Sequence, residues 1–265
     1  MTKEATVSND HEQYTAEGYV HIKGFYSDAE VSEIRPIVER FDAAWKQDND
    51  SFYQERAINS AYLTGKQYLN SADREALIRF VSSNKLMSLA KVIFASQPAF
   101  MNTQLFFNPF NASQKNYWHR DSQYNLSIEE EKNALNGPKA MHFRIALADE
   151  PGMEIVPKSH LQWDSSQSLN VRRELNGHQS HENLPKTVTL PLEKGDVLVF
   201  SALAIHRGLY GLDRLALDVL FCDPVEELLQ FVDTDCLPCE ALLIELEDSS
   251  AFEATMSCLK RCGKA

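Results

Sequence analysis

The chain has 265 residues, 43% of them apolar, and its 38 acidic residues outnumber 26 basic ones for a net charge of −12. A chain of this length buries a sizeable core in one domain, and an acidic balance with no basic stripe argues against a nucleic-acid partner, whose phosphates require clustered cations. The opening residues lack the apolar core of a leader and no apolar run approaches the length of a membrane span, so neither secretion nor membrane insertion is expected and the cytoplasm is the expected compartment.

In chain order, residues 1–12 are expected to be flexible and a helical lead-in to occupy about 14–100. Ser27-Asp28-Ala29-Glu30 reads as a capping box, and Val31, Ile34, Val38, Phe41 and Trp45 follow at spacings of three and four. This predicts one helix, kinked at Pro36 and ended by the charged run 46–50. Further helices are predicted from Ser71 and over 84–94. From Met101 the period shortens, and segments 101–108, 140–148, 153–157, 187–192, 197–201 and 214–222 read as strands separated by turn residues. Helices followed by many short strands predict a mainly β fold with flanking helices, a jelly roll with the N-terminal helices packed on one sheet. Its core would span about 101–222, residues 223–265 would form a C-terminal helical extension, and the whole chain 1–265 would be a single domain.

Within the strand region, His119-Arg120-Asp121 carries the most chemistry. On an extended segment, side chains two apart point the same way, so His119 and Asp121 can grip one ion. His206, at the end of the apolar run 197–205, can supply a second imidazole. Two imidazoles and one carboxylate are the set that holds non-haem Fe(II) on one octahedral face and leaves the other open. Arg214, a permanent cation able to fork onto a carboxylate, adds a dicarboxylate cosubstrate to that expectation. Taken alone, a His-x-Asp triplet also occurs by chance in solvated loops, and it gains weight from the walls supplied by Tyr117 and Trp118.

Four separated stretches, in order, resemble the phytanoyl-CoA dioxygenase family of Fe(II)- and 2-oxoglutarate-dependent oxygenases. They are the segment from Tyr14 to Ser27, Tyr117-Trp118-His119-Arg120-Asp121, the run from Gly152 to His160, and the stretch from Lys194 through His206 to Leu217. Four ordered matches are specific where any one would be weak. The resemblance implies a cupin-like double-stranded β-helix, with His119, Asp121 and His206 as catalytic metal ligands and Arg214 on the far carboxylate of 2-oxoglutarate. It also implies an amide contact to the cosubstrate from Gln104 or Asn108. Arg120 stands where the family often has Gln, Gly208 stands where a small hydroxyl residue is common, and the interval from His206 to Arg214 is short. The implied reaction uses Fe(II), 2-oxoglutarate and O2 to hydroxylate a C–H bond of a small organic substrate, releasing succinate and CO2. Desaturation, ring closure or epimerisation would use the same centre. The alternatives are a jelly roll that binds without catalysis and a cupin-like metalloenzyme that does not use 2-oxoglutarate; nothing in the sequence specifies the oligomeric state.

Other residues are read with two options each. In 141–147, His142 and Arg144 share one face and Met141, Phe143, Ile145 and Leu147 the other, and alternation does not say which face is inward. If the polar set faces the cavity, His142 and Arg144 contact substrate or cosubstrate; otherwise they face solvent. Loops 122–139 and 161–185 have the length of lids, and Tyr124 and Trp163 are expected to pack near the site as substrate contacts. His178 and His181 are expected on the surface and His160 in a structural role. Cys236, Cys239, Cys258 and Cys262 have a spacing that a zinc ion could use, but Glu240 to Thr255 between the pairs reads as one amphipathic acidic helix and reduced thiols are the expected state.

Overall fold

The computed structural model describes residues 3–263. Helix α1 (Lys3–Glu17) begins inside the stretch expected to be flexible, and the remainder of that expectation, Met1 and Thr2, lies outside the described residues. His11 Nδ1 meets the Ile93 carbonyl at 3.0 Å and ties α1 to the helices that follow. After β1 (Tyr19–Ile22) comes α2 (Asp28–Asp48), started by the capping box: the Ser27 hydroxyl accepts from Glu30 N–H, and the Glu30 carboxylate accepts from Ser27 N–H. Its apolar stripe is buried, and the helix runs through Pro36 without ending there. Then follow α3 (Asp50–Glu55), β2 (Asn59–Ala61), α4 (Ser71–Val81) and α5 (Asn84–Phe94), with Asn70 and Ser83 capping the last two through their side-chain oxygens.

The strand-rich part comprises β3 (Ala99–Phe107), α6 (Ile128–Ala134), β4 (Ala140–Ala146), β5 (Glu150–Ile155), α7 (Ser166–Arg172), β6 (Val188–Leu192), β7 (Val197–Ser201), β8 (His206–Gly208) and β9 (Leu215–Cys222). All pairings are antiparallel. A six-stranded sheet has the order β1-β7-β4-β9-β3-β2, and a three-stranded sheet has the order β6-β5-β8. Ala146, Leu198 and Phe200 of the large sheet pack against Met153, Ile155, Leu190 and Leu192 of the small one, so the two sheets face each other. The other face of the large sheet carries Met141, Phe143, Ile145, Val197, Val199, Leu217, Val219 and Phe221 into a core shared with α2, α4 and α5. The central strands are therefore covered on both sides, and β4 is buried at every position. Alternation with period two then sends His142 and Arg144 away from the helices and in between the sheets.

The chain closes with α8 (Glu226–Leu229), α9 (Glu240–Glu245) and α10 (Ser250–Arg261). The last two replace the one acidic helix that the pattern over 240–255 predicts. Between them, Asp248 accepts from both the N–H and the hydroxyl of Ser250, a local bond that competes with helix continuation just before α10 begins. Cys236 belongs to the main core, whereas Cys258 and Cys222 share a separate apolar cluster and Cys239 is exposed, so the four spaced thiols do not share one environment. No helix among the described residues is long and apolar enough to cross a membrane.

Gly152 sits where the register of β5 shifts against β6, with φ at +79°. A Cβ there would overlap the Leu190 carbonyl oxygen, so a side chain is excluded by both conformation and space. Gly152→Ala is expected to lower stability by ~2 kcal/mol or more, read from the denaturation midpoint; an unchanged midpoint would show that the β5–β6 crossing can yield.

Candidate metal centre

The site begins with a backbone pairing. His119 N–H donates to His206 O at 3.0 Å and His206 N–H donates back to His119 O at 3.0 Å, an isolated antiparallel bridge that lays the His119 segment along β8. Asp121 N–H donates to Ala202 O at 3.1 Å, which fixes the next turn. Arg120 is extended, with φ −111° and ψ 143°, so His119 and Asp121 project to one side and Arg120 to the other. Asp121 Oδ1 lies 3.4 Å from His119 Nε2 and 3.7 Å from His206 Nε2. One ligand atom from each of the three residues falls within 4.8 Å of the others.

Each imidazole is also set in its tautomer. His119 Nδ1 meets Tyr117 O at 3.2 Å and His206 Nδ1 meets Ala204 O at 3.0 Å. A carbonyl can only accept, so Nδ1 carries the hydrogen and Nε2 keeps its lone pair toward Asp121. Burial, and then the neighbouring His119, hold the His206 ring down to about 3, which favours the neutral form that a metal requires. Adjacent ligand atoms about 2.1 Å from one octahedral ion lie about 3 Å apart, and the two Asp121 spacings of 3.4 and 3.7 Å lie within about 1 Å of that. The donor set therefore fits a first-row metal ion.

Arg120, on the back of the triplet, is fully buried. Its guanidinium donates to Asp164 Oδ1, to the carbonyls of Ser159 and Gln162, and to Leu203 O. Asp164 also takes Arg172, which pairs with buried Glu131, and Glu131 takes Arg173. The loops 122–139 and 161–185 are thus bound to each other and to the triplet by buried ion pairs. Arg207 points away from the cluster as alternation requires, pairing with Glu154 and lying over Trp118.

A cavity of about 540 Å³ opens between the sheets and contains the cluster. At one end, Glu150 Oε1 accepts from Arg144 Nε at 2.9 Å, while Glu150 Oε2 accepts from Arg144 Nη2 at 3.1 Å and from Arg214 Nε at 3.2 Å. Arg214 Nη1 donates to Phe107 O at 3.0 Å. Arg144 Nη1 and Arg214 Nη2 make no hydrogen bond among the described residues, and both arginines line the cavity. Burial and the nearby Arg144 lower Arg214 to about 10, still cationic at neutral pH. Gly208 leaves the space that Arg214 occupies, since a Cβ there would come 2.5 Å from Nη2. Deeper in, His142 Nε2 lies 2.7 Å from Asp121 Oδ2 and Nδ1 lies 3.0 Å from Asp218 Oδ2. Burial alone would lower the His142 pKa, but the two carboxylates outweigh it and raise it to about 9.

The cavity thus gathers His119, Asp121, His206, Arg214, Gln104, Tyr124, His142 and Arg144 from the residues singled out in the sequence. Asn108 and Trp163 are placed elsewhere. The Asn108 amide binds the backbone of Gly211 and Leu212, pinning the loop before β9, and Trp163 lies over the Arg120, Lys132 and Arg172 side chains. His178 pairs with Glu182, and His160 meets Thr15 O under Gly18, the structural position expected of it. Sequence reasoning missed Arg120, Glu150 and Asp218. Only Asp218 left a signal, as the lone charge inside the buried apolar run 215–222; the other two owe their roles to partners distant in the chain.

Two facing antiparallel sheets around a two-histidine, one-carboxylate cluster beside buried guanidinium groups place this protein among the non-haem iron- and 2-oxoglutarate-dependent enzymes. The phytanoyl-CoA dioxygenase (PhyH) family model matches residues 14–209, and the chain belongs to that family. Solved structures share its fold. The non-haem alpha-ketoglutarate-dependent epimerase SnoN from nogalamycin biosynthesis is 19% identical with a TM-score of 0.58, over 84% of this chain and 85% of that one. HygX from Streptomyces hygroscopicus, solved with nickel and 2-oxoglutarate, is 15% identical with a TM-score of 0.59, over 83% and 86%. EctD from S. alaskensis is 13% identical with a TM-score of 0.57, over 84% and 78%. No curated protein matches the chain.

Arg120 and Asp164 are both inaccessible to water, and removing Arg120 leaves buried Asp164 to share Arg172 with Glu131, a buried network short of one positive charge. Arg120→Met is expected to destabilise the protein by ~3–5 kcal/mol, read as a fall in denaturation midpoint. A loss below 1 kcal/mol would show that the pair is solvated in solution.

Proposed function

We propose that this enzyme hydroxylates a C–H bond of a small, largely apolar organic molecule, coupled to conversion of 2-oxoglutarate and O2 to succinate and CO2. His119, Asp121 and His206 would hold the Fe(II), and Arg214 would receive the distal carboxylate of 2-oxoglutarate. The observation that carries this reading is the convergence of Asp121 Oδ1 on both histidine Nε2 atoms in the cavity that also holds the free Nη2 of Arg214. Iron bound there supplies the O2 activation that no side chain of the cavity can perform. The chain's own part is to fix two imidazole lone pairs, present a cation to the cosubstrate, and hold the substrate in a largely dry space.

The reading of the substrate rests on the charges in the wall. Among the described residues the cavity lining holds no lysine, and its two arginines are shared with Glu150. The adjacent pair Arg172-Arg173 is committed to Asp164 and Glu131. Leu126, Leu203, Leu228 and Phe231 line the remaining space together with Asn125, Gln230 and the acidic Glu227, and the Tyr124 ring lies 5.7 Å from the His119 ring. Such a wall favours an uncharged skeleton over a polyanionic thioester.

The same proposal takes the fold as a double-stranded β-helix, or jelly roll, within a single catalytic domain. With the His119 segment counted as a strand, β3-β9-β4-β7 face His119-β8-β5-β6, four strands on four. Hydroxylation is the outcome we favour among those open to this fold, which also serves SnoN, described as an epimerase.

Anaerobic titration of the Fe(II)-loaded protein with 2-oxoglutarate is expected to develop the weak visible charge-transfer band, and a productive substrate to stimulate succinate release. Asp121→Ala should abolish coupled turnover; full activity in that variant would reject the ligand assignment. Arg214→Leu is expected to weaken 2-oxoglutarate binding about thirtyfold or more, ~2 kcal/mol, while leaving iron bound. Unchanged affinity would mean that another group holds the cosubstrate.

A further inference from the structure

The two oxygens of Asp121 have different neighbours. Oδ1 faces His119 Nε2 and His206 Nε2, whereas Oδ2 accepts a hydrogen bond of 2.7 Å from His142 Nε2. We propose that His142 is a positioning residue that restricts Asp121 to a single ligating oxygen, a proposal that rests on the metal-ligand assignment above. A carboxylate is free to bind an ion through one oxygen or both, so its denticity must be imposed by what surrounds it.

His142 is built to impose it. The residue lies in the middle of β4, paired through its backbone with Phe200 of β7 on one side and Leu220 of β9 on the other, and it is 3% exposed. Its ring stacks on Phe200 with centroids 4.6 Å apart and planes 9° apart. Its second nitrogen is anchored at 3.0 Å by Asp218, which is itself wholly buried. The imidazole therefore has no room to follow Asp121 if the carboxylate turns. Turning Oδ2 toward the histidines would break the 2.7 Å bond and leave a buried N–H without a partner.

The consequence is a count of coordination positions. Two imidazoles and one carboxylate oxygen leave three of six octahedral positions for exogenous ligands, whereas a two-oxygen carboxylate would leave two. A chelating 2-oxo acid together with O2 needs three. On this reading His142 sets the capacity of the site for cosubstrate and O2 through one hydrogen bond to a metal ligand.

The test compares the full-length wild type with His142→Gln, which keeps an N–H donor near the Nε2 position, and His142→Leu, which removes it. Crystal structures of each with Ni(II) read the Asp121 oxygens directly, and anaerobic titration of the Fe(II)-loaded proteins reads 2-oxoglutarate affinity. We expect Oδ1 alone on the metal in wild type and His142→Gln. We expect 2-oxoglutarate affinity at least about tenfold weaker in His142→Leu but within about threefold of wild type in His142→Gln. Metal held by Oδ2 or by both oxygens in the wild type overturns the proposal, as does wild-type affinity in His142→Leu or an equal loss in both variants. If His142→Leu does not fold, the wild-type structure and His142→Gln decide alone. Metal bound by other residues is a separate result: it overturns the ligand assignment and this proposal with it.

Discussion

The reciprocal backbone hydrogen bonds between His119 and His206 are the contact on which the site depends. They join two segments far apart in the chain at a hydrogen-bonded antiparallel pair, the arrangement that sets two residues directly opposite each other with side chains on the same face. Both imidazoles then stand over one point, and Asp121 reaches it because Arg120 between them is extended. Everything else near the cluster supports that pairing. Arg120 and Asp164 hold the outer strand from behind, Phe200 packs 4.9 Å from the His206 ring, and carbonyls two residues upstream fix both ring orientations.

A second constraint is the neutralisation of charge between the sheets. His142, Arg144, Asp218, Glu150 and Arg214 project into space from which the surrounding strands exclude water, where an isolated charge is costly. Each is paired, and the pairing is economical: Glu150 serves two arginines and His142 serves two carboxylates. Because Glu150 occupies the Nε side of both guanidinium groups and Phe107 O takes Arg214 Nη1, only Arg144 Nη1 and Arg214 Nη2 have no hydrogen-bond partner among the described residues. The network that stabilises the interior is thereby also the one proposed to receive the distal carboxylate of 2-oxoglutarate, so a change to one of its members would act on both roles.

Much of this was legible in the sequence. The capping box at Ser27, the apolar stripe of α2 and the strand pattern after Met101 are local signals, and the expected strands form with ends shifted by up to three residues, while the short β8 was not among them. The triplet His119-Arg120-Asp121 and the distal His206 carried the metal expectation because ligand chemistry restricts the residue types that can serve. The contact expected of Asn108 came from the family resemblance and that of Trp163 from its aromatic character in a long loop; in the structure Asn108 pins a loop while Trp163 lies over buried arginines. The single acidic helix expected over 240–255 is two helices, with the Asp248 carboxylate between them taking the backbone N–H of Ser250.

The sequence by itself determined the alternation of His142 and Arg144 against Met141, Phe143 and Ile145, but it could not say which set faced inward, because period two is symmetric between the faces of a strand. Only the tertiary structure decided that, by covering one face of the large sheet with helices and leaving the other to the small sheet and the cavity. The same holds for Arg120, Glu150 and Asp218. Each is an ordinary charged residue until folding removes the water around it, and from then on its role is set by the partner that the fold brings within hydrogen-bonding distance.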